Sequence, residues 1–188
     1  MKGVVFRMLE EFVIEKASPE TWESLLETTP LATKEPFVGP GTYPDADFFA
    51  LVKGATDRLG VPVPAAVRAF GRFCLPRLMN AVPGLTDRYR SPKELLMALD
   101  GTIHVEVRKL WRDASPPRFT CTDTGPGTLD MEYESSRGLC GFLEGLLDGT
   151  ADRFGTAITW DHVACTQRGD RCCRFQMRFE AMADAAEE

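Results

Sequence analysis

The spacing of apolar residues over the first 115 positions is mainly that of amphipathic helices. One run covers 44–59 and ends at Gly60, with acidic residues in its first turn, as the helix dipole favours. A second run covers 64–79, where Pro76 is expected to break or kink the last turn. A third helix is predicted to begin after Ser91, because Ser-Pro-x-Glu supplies a capping box. Apolar residues recur along it at three- and four-residue spacings: Leu96, Leu99, Ile103, Val107 and Leu110.

After the Ser-Pro-Pro at 115–117 the helical spacing changes to alternation, which is typical of strands. Alternating segments on either side of Gly-Pro-Gly (125–127) predict one hairpin, and 157–165 with 171–179 predict a second. Between the hairpins, 139–154 returns to helical spacing. In the last strand the odd positions from Cys173 are apolar and the even ones polar, which predicts one buried face. The predicted class is therefore α+β: a helical N-terminal lobe, then a four-stranded antiparallel sheet with an inserted helix.

Length and charge limit what such a chain does. Its 188 residues suit one domain, which we divide into a helical lobe (1–62), a second lobe (63–181) and a frayed tail (182–188). The net charge of −6 argues against nucleic-acid binding, and no apolar run approaches the ~18 residues of a membrane helix. Charged residues interrupt the first positions, so we expect no signal peptide and a cytoplasmic location. In that reducing compartment the six cysteines are expected to stay free or to bind metal.

Two weak signals concern candidate chemistry. If the strand continues, Tyr133, Ser135 and Arg137 point to one face and offer donors suited to a pair of carboxylates. The alternative is a strand with an ordinary polar face. His104 lies at the edge of the apolar stripe of the third predicted helix, where a neutral imidazole can bind a metal. The alternative there, a helix-edge histidine bonded to a carbonyl group, is more common.

The two signals together resemble the H-NOX family of haem-based sensors of nitric oxide and, in some members, of oxygen. A helix histidine precedes Tyr-x-Ser-x-Arg by 29 residues, in a chain that begins Met-Lys-Gly. The resemblance implies that 63–181 is a haem-binding lobe holding haem b, with His104 as the sole protein ligand to the iron. It further implies that Tyr133, Ser135 and Arg137 hold the two propionates, and that Pro117 presses on the porphyrin.

The resemblance also indicates which gas is bound. Oxygen-binding members have a tyrosine five residues after the motif arginine, and here that position is Phe142. Matching residues place Val5, Leu9 and Cys74 in the same distal pocket. Bound oxygen carries superoxide-like charge and gains from a hydrogen-bond donor, whereas nitric oxide gains little. We therefore expect nitric oxide and carbon monoxide to bind, without a stable oxygen complex. Phe142 also suits plain helix packing, and both interpretations can hold together.

One histidine and three cysteines form a second candidate site: Cys140, His162, Cys165 and Cys173. This set suits tetrahedral zinc, although reduced cysteines also serve as small apolar residues. His162 and Cys165 have opposite strand parity, so a bend or bulge must bring them together. Some H-NOX proteins, mostly from proteobacteria, have a structural zinc here, which favours the metal site. Cys172 could exchange with Cys173, but the apolar face of the strand favours Cys173.

These features predict a sensor and not an enzyme. The resemblance implies that nitric oxide breaks the bond between iron and His104, and that the resulting rotation of the lobes regulates a separate histidine kinase or cyclic-di-GMP enzyme. Nothing in the sequence requires more than a monomer. The competing hypothesis is a zinc or thiol redox sensor acting through Cys140, Cys165 and Cys173. A peroxidase-like haem enzyme is disfavoured, because its distal acid–base would have to be His162, which suits the zinc site better.

Overall fold

Helices precede the sheet along the chain, and one more helix lies between its two hairpins. The computed structural model describes residues 1–81, 84–111 and 113–181. The helices are α1 (Gly3–Lys16), α2 (Pro19–Thr28), α3 (Asp45–Leu59), α4 (Val63–Asn80), α5 (Pro92–Met97), α6 (His104–Leu110) and α7 (Cys140–Phe154). The strands are β1 (Arg118–Gly125), β2 (Thr128–Glu134), β3 (Thr156–Ala164) and β4 (Cys173–Ala181). A π turn (Leu99–Ile103) separates α5 from α6, and a 3-10 turn (Thr166–Arg168) follows β3.

Local signals at the predicted helix ends are confirmed, with one exception. Helix α3 ends at Gly60, whose φ of 65° is left-handed and suits glycine. Ser91 caps α5 through its side-chain oxygen, which accepts from the backbone N–H of Glu94 at 3.2 Å. The break expected at Pro76 is wrong, since α4 continues to Asn80. Packing of α4 against neighbouring helices outweighs the one backbone hydrogen bond that Pro76 cannot donate.

The four strands form one antiparallel sheet in the order β1-β2-β4-β3, which confirms both hairpins and the α+β class. The predicted alternation in β4 is confirmed as well: Cys173, Phe175 and Met177 are buried, and the even positions between them are exposed. The buried face packs against Leu143 and Leu147 of α7. The sheet therefore has one face in the core and one polar face.

Helices α4 and α7 approach each other closely through glycines. A Cβ atom added at Gly145 would lie 1.9 Å from the backbone oxygen of Arg68, so only glycine fits. Two bidentate ion pairs flank this contact, Arg68 with Asp148 (2.6 and 2.9 Å) and Arg72 with Asp152 (2.6 and 2.7 Å). Shape and charge thus fix α4 against α7, and α7 in turn against the sheet.

The helices of the N-terminal part bury a separate apolar cluster that includes Phe6, Leu25, Phe48, Leu51 and Phe70. None of the helices in the described ranges is long and apolar enough to cross a membrane. The boundary expected at residue 62 falls between α3 and α4 and stays a prediction. The tail expected over 182–188 lies outside the described residues.

Candidate functional site

A cavity of about 340 Å³ lies between the helices and the buried part of the sheet. Its walls come from α1, α4, α5 to α6, the strands β1 and β2, and α7, and they are mostly apolar. Four polar residues of its lining are those that the sequence singled out: His104, Tyr133, Ser135 and Arg137. Pro117, Val5 and Phe142 line it as well. An apolar cavity with a few convergent polar groups is typical of a site for a small organic molecule.

His104 offers a neutral imidazole to this cavity. Its side chain is 13% exposed, and its Nδ1 atom is buried without a hydrogen-bond partner among the described residues. Burial lowers the pKa of His104, and the nearby carboxylate of Asp100 opposes this only in part. The imidazole is therefore neutral at pH 7. A neutral imidazole keeps one nitrogen lone pair free for a metal.

The π turn explains how His104 comes to face the cavity. The sequence predicted one continuous helix from Ser91, and this is wrong between Leu99 and Ile103. There the N–H of Ile103 donates to the oxygen of Ala98, five residues back, at 3.0 Å. The extra residue in this turn rotates the following residues by about 100° around the helix axis, relative to a regular helix. His104, predicted at the edge of the apolar stripe, begins α6 and lines the cavity.

Tyr133, Ser135 and Arg137 line the cavity together, although not for the predicted reason. Strand β2 ends at Glu134, so Ser135 and Arg137 lie in a turn and the strand-parity argument fails for them. The turn brings them together locally, since the N–H of Arg137 donates to Ser135 Oγ at 3.2 Å. Burial raises the pKa of Tyr133, so its phenol stays a hydrogen-bond donor.

Arg137 is held in place by two long-range contacts. Its Nε donates to Asp45 at 2.8 Å, and its Nη1 donates to the backbone oxygen of Ser115 at 2.8 Å. Asp45 is the first residue of α3, so this ion pair links the N-terminal helices to the turn after β2. Arg137 is thereby oriented at the cavity wall.

Two of the residues expected in the distal pocket lie elsewhere. Val5 and Phe142 line the cavity, but Leu9 and Cys74 do not appear in its lining. Leu9 is one helical turn, about 6 Å, further along α1 than Val5 and lines a second cavity. Cys74 is fully buried in the N-terminal apolar cluster, where burial raises the pKa of its thiol. The next residue of α4, Leu75, lines the cavity instead.

Phe142 satisfies both interpretations made from the sequence. It lines the cavity, and its ring packs against that of Phe70 with centroids 5.4 Å apart. No hydrogen-bond donor is therefore offered from this position. Tyr133 is the only tyrosine among the described residues that line the cavity.

The second cavity, of about 470 Å³, lies between α1, α3 and α4. Phe12, Val13, Val52 and Phe70 are among its apolar walls. It shares no lining residue with the first cavity, but both cavities border α4.

The four residues predicted as a metal site come together between the start of α7 and the strands β3 and β4. One ligand atom from each of Cys140, His162, Cys165 and Cys173 lies within 4.8 Å of every other. Cys165 Sγ is 3.8 Å from Cys140 Sγ and 3.9 Å from Cys173 Sγ. Zinc–sulfur bonds of about 2.3 Å at tetrahedral angles require sulfur atoms about 3.8 Å apart, so the cluster fits such an ion. The neighbouring Cys172 is not in this group.

The bend that the sequence required is present, and the histidine is oriented for a metal. The pairing of β3 with β4 shifts register between His162 and Ala164, which confirms the predicted irregularity. His162 Nδ1 is 3.2 Å from a carboxylate oxygen of Glu144, and its Nε2 is buried without a partner among the described residues. Its ring also stacks on Phe175 with centroids 4.1 Å apart. A carboxylate on one nitrogen and a free second nitrogen are typical of a metal-binding histidine.

The thiols of the cluster differ in their readiness to ionise. Burial, helped by the neighbouring thiols, raises the pKa of Cys140 to about 12. Burial acts in the same direction on Cys165, but hydrogen bonds from the backbone N–H groups of Gln167 and Arg168 outweigh it and lower its pKa. A cation bound at that place would favour the thiolate form of all three cysteines.

Three charged residues at these sites were missed by sequence reasoning: Asp45, Asp100 and Glu144. Asp100 precedes His104 by four residues and Glu144 follows Cys140 by four, so helical spacing was a usable signal for both. Asp45 has no such signal, because its partner Arg137 is 92 residues away.

The fold is a set of helices around a four-stranded sheet. Its apolar cavity offers a neutral histidine and three further donors, which is typical of a domain that holds a prosthetic group. A family model described as "Haem-NO-binding" matches residues 2–162. The chain belongs to this haem-NO-binding family, also called H-NOX.

Solved structures agree with this assignment over the whole chain. An H-NOX protein variant from S. oneidensis in the Fe(II) state is 28% identical, with a TM-score of 0.91 and coverage of 100% of both chains. The Fe(II)NO state from S. oneidensis is 29% identical, with a TM-score of 0.90 and coverage of 96% of this chain and 99% of that one. The H-NOX protein from Shewanella woodyi, bound to IWP-051 in the Fe(II)CO state, is 31% identical, with a TM-score of 0.83 and coverage of 100% and 97%. A search of the curated proteins finds no significant match.

Proposed function

We propose that this chain is a haem-based sensor of nitric oxide that also binds carbon monoxide. The observation that carries the proposal is the buried, neutral imidazole of His104 in a cavity whose lining also contains Tyr133, Ser135 and Arg137. Bound haem b would supply an iron atom with one position for a diatomic gas and one for a protein ligand. Membership of the haem-NO-binding family and the Fe(II)NO state of a relative support this assignment.

Each residue has a separate task in this proposal. His104 is the protein ligand to the iron, since its lone pair is free and its surroundings are apolar. Tyr133, Ser135 and Arg137 supply a phenol, a hydroxyl and a guanidinium, which suit two carboxylates such as propionates. Pro117 forms a rigid part of the cavity wall beside them.

The apolar wall around Val5 and Phe142 favours nitric oxide and carbon monoxide over oxygen. Neither side chain donates a hydrogen bond, and bound oxygen is the ligand that most needs one. We therefore propose that no stable oxygen complex forms in air.

The signal begins at His104. With haem held by His104, nitric oxide would displace this imidazole, and α6 would lose its attachment to the cavity. Because the ion pair of Arg137 with Asp45 joins the turn after β2 to α3, a shift at the cavity can reach the N-terminal helices. The changed surface would regulate a separate histidine kinase or cyclic-di-GMP enzyme, with this protein acting as a monomer.

Absorption spectra of the purified protein test the first step. The reduced protein should show a haem band that is unchanged in air and shifts with nitric oxide. A protein that cannot take up hemin, or one that forms a lasting oxygen complex, would contradict the proposal.

The release step is tested with His104→Gly loaded with haem and free imidazole. Hydrogen exchange in α6 and in the segment between α3 and α4 should match that of the wild-type protein with nitric oxide, because both proteins lack a bond between α6 and the iron. Exchange equal to that of the unliganded wild-type protein would refute release. Partner regulation is checked by the turnover of purified candidate kinases and cyclic-di-GMP enzymes with either protein, and unchanged turnover would contradict it.

The metal cluster supports a second candidate function, a zinc-based thiol redox sensor. We infer zinc as the ion because three thiolates and one imidazole are the ligands it prefers. Peroxide would oxidise two of the thiolates to a disulfide, itself being reduced to water, and the ion would leave. If peroxide still changes partner turnover after Cys165→Ser, while nitric oxide acts normally, this second function is wrong.

A further inference from the structure

A carboxylate lies behind His104, on the side of the ring that carries Nδ1. Asp100 Oδ1 is 3.8 Å from His104 Nδ1, and it accepts from the backbone N–H of Phe119 in β1 at 3.5 Å. The π turn presents Asp100 one turn before His104. The carboxylate is therefore held between the helix and the sheet, less than 1 Å beyond hydrogen-bonding distance from the imidazole.

His104 needs an acceptor at this place. An imidazole that binds a metal through Nε2 has its proton on Nδ1, and Nδ1 of His104 is buried without a partner among the described residues. Two acceptors lie near this histidine without bonding to it, the carboxylate of Asp100 and the backbone carbonyl of Pro117. The carboxylate is the stronger of the two because it is charged.

We propose that Asp100 is a positioning residue for His104. It accepts the Nδ1 proton, so that the Nε2 lone pair is directed to the cavity, and it makes the imidazole a stronger ligand. This inference rests on the proposed function, in which His104 is the ligand to haem iron. It extends that function, because the strength of the ligand sets how readily nitric oxide displaces it.

A second charge moderates the effect of Asp100. Arg108 Nη2 lies 3.9 Å from the same oxygen, Oδ1. The guanidinium draws negative charge away from His104, so removal of Arg108 should strengthen the imidazole while removal of the carboxylate weakens it. Substitutions at the two positions are therefore expected to act in opposite directions.

The test compares Asp100→Asn and Arg108→Gln with the wild-type protein loaded with haem. Glu106→Gln is the matched control. It removes a carboxylate from the neighbouring helix α6, where Glu106 pairs with Lys109 at 2.6 Å. The readouts are the iron–histidine stretching frequency of the ferrous protein and its reduction potential. Loss of an outer-shell partner typically costs 10–100-fold in metal affinity. If the protein binds ferric haem tenfold more weakly relative to ferrous haem, the reduction potential rises by about 59 mV.

Asp100→Asn should lower the stretching frequency and raise the potential, Arg108→Gln should shift both in the opposite sense, and Glu106→Gln should leave both unchanged. A haem-loaded Asp100→Asn protein with wild-type values would overturn the role of Asp100 and leave the proposed function intact. If Asp100→Asn does not fold, Arg108→Gln decides by the same two readouts. Failure of the wild-type protein to load haem would instead overturn the proposed function.

Discussion

The close contact of α4 with α7 predicts a large effect of one added methyl group. In Gly145→Ala the new Cβ would lie 1.9 Å from the backbone oxygen of Arg68 and 2.9 Å from the backbone nitrogen of Arg72. Backbone atoms cannot rotate away, so the helices must separate by about 1.5 Å to reach van der Waals distance. Overpacking of this kind costs up to about 3 kcal/mol, and the higher helix propensity of alanine returns about 1 kcal/mol. The net loss of about 2 kcal/mol lowers the Tm by about 4–8 °C for a chain of this size.

Thermal unfolding followed by circular dichroism measures this effect, with Gly141→Ala as the control. Gly141 is in the same helix, but its added Cβ meets only a side-chain atom of Val67, at 3.8 Å. The control should therefore keep or slightly raise the Tm. Equal Tm values for the two variants would refute the claim that close packing of α4 on α7 requires glycine at 145.

Three further predictions concern the cavity, the metal cluster and a buried carboxylate. Phe142→Tyr adds a donor to the cavity wall, and a hydrogen bond to the charged oxygen ligand, about 1.5–3 kcal/mol, should produce an oxygen-bound absorption spectrum in air. Cys165→Ser should abolish metal binding, as measured by elemental analysis, and lower the Tm, whereas Cys172→Ser should do neither. Asp47 is buried and accepts from two backbone N–H groups at 2.8 and 2.9 Å, which outweigh the effect of burial and lower its pKa from 3.8. The stabilisation by the Asp47 carboxylate is complete above pH 3.8 and is lost as the pH falls through the pKa of the folded state. Asp47→Asn should therefore lower the free energy of unfolding in urea by about 1–3 kcal/mol at pH 7 and by less in acid. A loss that does not depend on pH would refute this role of Asp47.

Local patterns were enough to predict the sheet, and together with the family resemblance they selected the residues of the metal cluster. Alternation in β4 distinguishes Cys173 from Cys172, because only one of two adjacent strand residues can face the core. Opposite parity of His162 and Cys165 likewise required an irregular strand, which the structure contains. These predictions depend on neighbours along the chain, where geometry repeats regularly.

Predictions failed where contacts between distant segments decide the geometry. The π turn before His104 leaves no mark in the apolar spacing, since Leu99 and Ile103 also fit a regular helix. The resemblance placed Cys74 in the distal pocket, whereas the packing of α4 buries it in the N-terminal apolar cluster and outside the lining of the cavity. The pair of Asp45 with Arg137 depends on the tertiary fold and has no local signature.

Helix α4 borders one cavity with its first residues and the other with its last. Ala65 and Ala66 line the space beside α1 and α3, while Leu78 and Met79 line the space that contains His104. Its 18 residues span about 27 Å, and the glycine contact clamps it to α7 along the middle. A helix held at its middle has arms of about 13 Å, so a tilt of about 5° would move each end by about 1 Å, in opposite directions. Any such tilt of α4 would therefore change the shape of both cavities, although no residue lines both.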